Sequence, residues 1–245
     1  IDPTPEPEVS YYERKRLFEL PQSTWKDYES RLISPGGGVF ERRAKSIEIT
    51  PQMKILFGIR EDYLPPSDLI RFLLKAPVDL IWFGGIGTYI KAKNETALDV
   101  GDRVNDALRI NGLDVRAKVI AEGANLGVTQ LGRIEYAKNG GRINTDAIDN
   151  SAGVDCSDHE VNIKILLNQA ILKNELTFEN RNTLLHKMTD EVAHLVLQDN
   201  FWQTQAISLA RSQGVRLLDE QARLMRDLEE ELSLIHISEP TRPER

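Results

Sequence analysis

Three apolar runs of this chain are each followed by glycine, amide or hydroxyl residues. The first run is followed by Gly84 and Gly85, the second by Asn125, and the third by Asn150 and Ser157. The three runs are 78–83, 117–121 and 143–148. Glycine lets backbone approach a ligand closely, and an asparagine amide both donates and accepts hydrogen bonds. Such residues suit a carboxamide or the polar head of an amino acid.

The apolar runs predict neighbouring strands whose carboxyl ends meet at one edge of a sheet, which is where α/β proteins bind ligands. Taken alone, the glycines after the first run favour a tight turn, and Asn125 is compatible with a side chain that satisfies turn backbone. The segment 142–167 is equally compatible with a well-capped strand–loop–helix junction. Three such loops in succession favour a ligand site over three unrelated turns.

The predicted elements must position these residues. The run 78–83 is dense enough for a strand buried on both faces, and 96–110 has the period of a helix. After Asn150 the chain restarts as a helix with Ser157 or Asp158 as its cap and Glu160 as a capping-box carboxylate. The apolar residues of that helix between 161 and 167 are expected to be largely buried.

Towards the amino end, 1–9 is expected to be an extended connector, followed by short helices at 11–20 and 25–33. A strand is predicted at 46–49, and helices at 51–56 and 68–75. Towards the carboxyl end, Thr189 begins a helix to about 211, and 213–232 is amphipathic. The segment 232–245 resembles the translation of a sequencing-adapter read, so His236 receives no functional weight.

Composition excludes several classes of function. A net charge of −7 disfavours a nucleic-acid partner, and no apolar run reaches the roughly 18 residues of a membrane span. A single cysteine, Cys156, excludes an internal disulfide and fits the cytoplasm. Four scattered histidines give no metal-ligand spacing, so no metal is expected. The chain starts without methionine, which suggests a fragment of a longer protein.

Long motifs now point to a family. The stretches VDLIWFGGIGTYIKA (78–92), VIAEGANLGVTQLGRIEYA (119–137) and GGRINTDAIDNSAGVDCSDHEVNIKILLN (140–168) resemble the large bacterial NAD-specific glutamate dehydrogenases. The likeness runs from Ile1 to about Arg211. The segment 150–160 resembles the family's N-A-G-G-V-x-x-S-x-x-E pattern, and departs from it at Ser151 and Ala152.

The resemblance implies roles for particular residues. Ser157 matches the serine that binds the substrate's side-chain carboxylate, and Val154 matches the valine lining the same pocket. Asn125 and Asn150 match asparagines near the nicotinamide and the substrate's α-carbon. Gly84 and Gly85 lie where the family pattern has a different loop, and are candidates for cofactor binding.

The implied fold is α/β, with a partial Rossmann-like dinucleotide-binding domain, a mostly parallel sheet and C-terminal helices. Residues 1–77 would be a connector and helical insertion, 78–168 the distal half of the NAD-binding domain, and 169–231 a helical segment, with 232–245 a non-native tail. The catalytic acid–base residues are expected in an N-terminal domain outside this chain, so the isolated chain is expected to be inactive.

The implied reaction is oxidative deamination of L-glutamate to 2-oxoglutarate and ammonia with NAD, by a cytoplasmic enzyme that is a homo-oligomer in its full-length form. One alternative is a non-catalytic regulatory or assembly module that retains the fold. Another is a dehydrogenase acting on leucine or phenylalanine. The polar Ser157 favours a carboxylate substrate over an apolar one.

Overall fold

The computed structural model describes residues 1–85 and 87–232 of the chain. They divide into two compact units, one spanning Ile1–Gly153 and one beginning at Val154. The predicted non-native tail, apart from its first residue, and His236 lie outside the described residues. In the described part, no helix has both the length and the apolar character needed to cross a membrane.

Within residues 1–85 and 87–153, the first unit contains six helices. They are α1 (Pro7–Glu19), α2 (Pro51–Phe57), α3 (Pro66–Leu74), α4 (Ala97–Val100), α5 (Gln130–Lys138) and α6 (Asp146–Asp149). The second unit contains α7 (Asp155–Leu172), α8 (Phe178–Lys187), α9 (Thr189–Gln213) and α10 (Leu218–Leu232).

The strands formed by the described residues are short and lie in the first unit. They are β1 (Ile47–Glu48), β2 (Tyr63–Leu64), β3 (Leu80–Phe83), β4 (Ile90–Lys91), β5 (Ile110–Asn111) and β6 (Val119–Glu122).

Two of the three strand pairs are parallel. Strand β3 runs parallel to β6, with Leu80 opposite Val119 and Phe83 opposite Glu122. Strand β4 runs parallel to β5, whereas β1 and β2 are antiparallel. The prediction of an α/β chain with mostly parallel pairing is therefore confirmed at this level.

Strand β3 is buried on one face only. Phe83 is buried, whereas Leu80 and Trp82 on the opposite face are 53% and 64% exposed. The prediction that both faces are buried was wrong, because alternate side chains of a strand point to opposite faces and here only one face is packed.

Two apolar clusters stabilise the first unit. The larger joins β3, β6 and α5, and includes Tyr136, whose hydroxyl donates to the Ala117 carbonyl at 2.8 Å. Its buried members are Leu74, Phe83, Ile90, Ile110, Val115, Ala117, Ile120, Val128 and Tyr136. The smaller cluster surrounds Met53 beneath β1 and α3.

The predicted third strand at 143–148 is not formed. Arg142 alone continues the sheet, in a parallel bridge with Val119, and the Arg142 carbonyl accepts from the Ile120 N–H at 2.9 Å. The chain then turns into α6. Asp146 stands at the start of this short helix, where a negative charge is favourable. Asp149 is its last residue.

The predicted helix 96–110 was also wrong as a continuous element. Thr96 caps α4, but Gly101 adopts φ 75° and ends it after one turn. A 3₁₀ turn at Arg103–Leu108 and strand β5 follow. The left-handed backbone that glycine permits is a common helix stop.

The amino-terminal predictions were partly correct. Helix α1 begins at Pro7, inside the expected connector, and 25–33 forms two 3₁₀ turns instead of one helix. Thr50 caps α2 through a 3.3 Å bond from the Met53 N–H, as the Thr-Pro pair predicts.

Helix α7 begins two residues earlier than its predicted cap. Its first residue is Asp155, so Ser157 and Asp158 lie inside the first turn, and Glu160 pairs with Lys164. The expected burial of its apolar residues was wrong, since Val161, Ile165 and Leu166 are at least half exposed. Within the second unit α7 packs on α9, which leaves much of its surface uncovered.

Candidate functional site

The parallel register of β3 and β6 places their glycine loops side by side. Gly84 follows Phe83, Gly123 follows Glu122, and those two strand residues are paired. A Cβ atom at either glycine would fall well inside van der Waals contact with the Trp82 indole. Glycine is therefore required at both positions, so that the Trp82 side chain can lie against both loops.

A cleft of about 840 Å³ opens where these loops end. Its walls combine glycine backbone with a few polar side chains, including Asp102. The volume of this cleft lies in the range of small-molecule and cofactor sites. It is lined by Gly84, Gly85, Gly87, Thr88, Val100, Gly101, Asp102, Val104, Asn105, Gly123, Ala124, Asn125, Leu126 and Asn150.

The structure brings the two predicted asparagines together at this cleft. The Asn150 Nδ2 donates to Asn125 Oδ1 at 2.9 Å, across 25 residues of sequence. This bond leaves the Asn125 amide NH₂ and the Asn150 amide oxygen with further capacity to bind a ligand. Gly84 and Gly85 line the same cleft, so four predicted residues of the first unit meet there.

Val154 and Ser157 begin the second unit. Val154 is half-buried immediately before α7, and Ser157 is exposed in its first turn. Their convergence with the asparagines stays a prediction, as do the binding roles of all six residues.

A buried ion pair supports the Asn125 loop. Glu122 is fully buried and accepts from Arg133 Nε at 2.8 Å and from Nη2 at 3.0 Å. The same carboxylate accepts from the Val128 N–H at 3.0 Å. Burial alone would lower the pKa of Arg133, but Glu122 and Asp146 together, through their charges and hydrogen bonds, outweigh it and raise the pKa.

Helix α6 holds the other side of this loop. Asp146 accepts from the Leu126 N–H at 2.8 Å and lies 3.2 Å from Arg133 Nη2. Asp149 accepts from the Glu122 N–H at 3.1 Å. Leu126 adopts φ 61°, a conformation that is unfavourable for a leucine and is held here by the surrounding bonds.

A second buried cation holds the loop after β3. Arg109 donates from Nε to the Thr88 carbonyl at 3.0 Å and from Nη2 to the Asp102 carbonyl at 2.7 Å. The Thr88 N–H donates to Asp102 Oδ2 at 2.9 Å. That bond, followed by one from the Asn105 amide, keeps the pKa of Asp102 below its usual value, so its carboxylate is charged at the cleft wall.

These supporting residues were not predicted from the sequence. One signal was present: Glu122 directly follows a buried apolar strand, and a carboxylate there requires a cationic partner. Nothing in the spacing identifies Arg133, eleven residues later, as that partner, because the contact depends on how α5 packs on the sheet.

The chain is similar to known proteins over most of its length. Residues 1–210 match the model of the family described as bacterial NAD-glutamate dehydrogenase, catalytic domain. A protein of Pseudomonas aeruginosa named NAD-specific glutamate dehydrogenase is 58% identical over 229 residues, which are 94% of this chain and 14% of that protein. Proteins of the same name from Halomonas elongata and Mycobacterium tuberculosis are 59% and 53% identical, over 86% and 89% of this chain.

The match covers only a small part of each relative. The chain spans about one seventh of the length of these curated proteins, 13% to 14% in each case. The family match nevertheless covers most of the chain, and it includes both asparagines of the cleft. The chain belongs to the bacterial NAD-glutamate dehydrogenase catalytic-domain family.

Proposed function

We propose that this chain supplies part of the cofactor and substrate site of an NAD-dependent glutamate dehydrogenase, which converts L-glutamate to 2-oxoglutarate and ammonia. The observation that carries the proposal is the hydrogen-bonded pair Asn125–Asn150 at a glycine-walled cleft. The names of the relatives support the choice of NAD and glutamate.

The residues present fit NAD. The Trp82 indole occupies the space beside Gly84 and Gly123, whereas Gly85 opens to the cleft, with no atom within 4 Å of where a Cβ would stand. The free donors and acceptor of the two amides match the carboxamide of a nicotinamide. We therefore assign the β3–β6 pair to a Rossmann-like dinucleotide-binding domain, with Gly84, Gly85, Asn125 and Asn150 on the cofactor side.

Bound NAD would supply the hydride acceptor for oxidation at the α-carbon of the amino acid. The contribution of this chain is to bind and orient. Asn125 and Asn150 fix the orientation of the nicotinamide end and the substrate's α-carbon end. Ser157 donates a hydrogen bond to the side-chain carboxylate, with Val154 beside it. Holding the reacting carbons in contact is a large part of the rate acceleration in such reactions.

Within the same proposal, the complete enzyme is a cytoplasmic homo-oligomer, and its acid–base residues come from outside this chain. A non-catalytic module that retains the fold is the competing function. It is less well supported, because Asn125, Asn150 and Ser157 are all present in the positions that the family pattern requires.

A chimera tests the proposal. The matching segment of the Pseudomonas aeruginosa relative is replaced by this chain, and glutamate-dependent NAD reduction is measured. We expect an active chimera, since the two segments are 58% identical. A folded chimera without NAD reduction, beside an active parent, would instead favour the non-catalytic module.

The same chimera tests the substrate assignment. Ser157→Ala should lower kcat/KM for glutamate about 10-fold or more, the cost of losing a hydrogen bond to a charged group. Activity on leucine or phenylalanine should not fall. Ser208→Ala, an exposed serine of α9, is the matched control. An unchanged kcat/KM for glutamate in Ser157→Ala would remove this residue from the site.

A further inference from the structure

The second unit contains a cluster of metal-ligating side chains that the proposed function does not use. Asp155 and His159 lie one turn apart on α7, and Asp199 reaches them from α9. One ligand atom from each residue lies within 4.8 Å of the other two. We propose that this Asp155–His159–Asp199 cluster binds a divalent transition-metal ion of the zinc class.

The distances suit a shared ion better than direct hydrogen bonds. His159 Nε2 lies 3.4 Å from Asp199 Oδ2 and 3.6 Å from Asp155 Oδ1. Good hydrogen bonds from nitrogen to oxygen are about 2.7–3.2 Å long. Two ligands of a tetrahedral Zn²⁺, each about 2.1 Å from the metal, stand about 3.4 Å apart. The two spacings from His159 therefore approach the edges of a zinc tetrahedron, and the carboxylate oxygens of Asp155 and Asp199 lie within 4.8 Å of each other.

A second observation points to a missing partner. Asp155 Oδ2 is a buried atom, and within the described part of the chain it has no hydrogen-bond partner. A buried carboxylate oxygen without a partner costs free energy. A cation in the cluster would compensate this oxygen and also the repulsion between two carboxylates that share one imidazole.

The donor set selects the class of ion. One imidazole and two carboxylates match the mixed nitrogen and oxygen ligands of catalytic and structural zinc sites. Three protein ligands are too few for Ca²⁺, which takes 6–8 oxygens. The cluster is partly accessible, with Asp199 47% exposed, so a water molecule can complete the coordination from the open side.

The site would join two helices. Asp155 and His159 stand on the first two turns of α7, and Asp199 stands in the middle of α9. An ion there would fix the amino-terminal turn of α7, which carries Ser157. The proposal stands on the geometry of the second unit and does not depend on the dehydrogenase assignment.

Metal titration of the 245-residue chain tests the proposed metal site. We expect calorimetry to detect one Zn²⁺ site, and Co²⁺ to give the visible absorption typical of four-coordinate geometry. His159→Gln and Asp199→Asn should each weaken Zn²⁺ binding by about 10-fold or more, and each should abolish the Co²⁺ absorption. Asp199→Asn is nearly isosteric at a half-exposed position, so it keeps the helix packing, which circular dichroism verifies.

The matched control is His194→Gln, an exposed histidine on the same helix α9. It should leave both Zn²⁺ affinity and the Co²⁺ spectrum unchanged. The proposal is overturned if the folded chain binds no Zn²⁺, or if binding is equally strong in His159→Gln and in the unsubstituted chain.

Discussion

The position of the Asn150 amide depends on the absence of a side chain three residues later. A Cβ at Gly153 would lie 2.6 Å from Asn150 Oδ1 and 2.7 Å from Nδ2. The backbone conformation at Gly153 does not itself require glycine, because its φ is not in the left-handed region. The glycine is therefore needed to leave space for Asn150, and through it for the bond to Asn125.

Gly153→Ala should displace the Asn150 side chain and break its 2.9 Å bond to Asn125. In the chimera we expect kcat/KM for glutamate to fall about 10-fold, with little change in stability, because the end of a flexible side chain can move at low cost. In an Asn150→Ala background the same substitution should have almost no further effect. Equal losses in both backgrounds would contradict this account, and Ala152→Ser, at an exposed neighbour, is the control.

At the scale of elements, α5 and α6 hold the loop after β6 through charged groups. The pair Glu122–Arg133 is buried, so removing one partner leaves the other charge uncompensated. This contrasts with Lys26–Glu41, a surface pair in which both side chains are mostly exposed. Pairs of that kind contribute little, because solvent screens them.

Arg133→Met should reduce the free energy of unfolding by about 3–5 kcal/mol, the usual cost of breaking a buried pair. Adding Glu122→Gln should recover part of that loss, because the unpaired charge is then removed. Urea titration of the four chains of the double-mutant cycle measures the coupling. Additive effects would show that the two side chains do not act as a pair, and Lys26→Met should change stability little.

Helix α1 is tied to the following turns by one buried carboxylate. Glu13 accepts from Arg16 Nη2 at 2.7 Å and from the Glu29 N–H at 2.7 Å. The hydrogen bonds from Arg16, followed by the bond from Glu29, outweigh burial and lower the pKa of Glu13 from its usual 4.5 to about 2.

A depressed pKa stabilises the folded state only while the carboxyl is ionised. Above its usual pKa of 4.5 the contribution of Glu13 is complete, and it is lost as pH falls towards about 2. Thermal melts of the chain should therefore show a Glu13→Gln variant that is less stable at neutral pH and less sensitive to pH across this window. Glu19→Gln, at the exposed end of the same helix, should follow the unsubstituted chain. Parallel pH profiles for Glu13→Gln and the unsubstituted chain would disprove the assignment.

At the scale of the whole molecule, local sequence signals predicted some elements well and others not at all. Strands β3 and β6 and the start of α2 followed from apolar runs and from the Thr50-Pro51 pair, all of which act within a few residues. The exposed face of β3 and the exposed surface of α7 did not follow. Burial depends on which surfaces meet in the folded chain, and a hydrophobic pattern does not specify the partner.

The site was predicted to a similar extent. Asn125 and Asn150 were identified from their types and from the family motifs, and they meet across 25 residues of sequence. The groups that hold them, Arg133 and Asp146, were missed. Arg133 reaches Glu122 through the packing of α5 on the sheet. Asp146 reaches the Leu126 N–H because the chain forms α6 where the pattern predicted a strand.

The most direct measurement is a crystal structure of the active chimera with NAD and 2-oxoglutarate bound. We predict that Asn125 and Asn150 lie within hydrogen-bond distance of the nicotinamide carboxamide or the α-carbon end of the substrate. We also predict that Ser157 Oγ lies within that distance of the side-chain carboxylate of the same ligand. A bound complex in which Ser157 and the two asparagines contact different ligands, or none, would contradict the account.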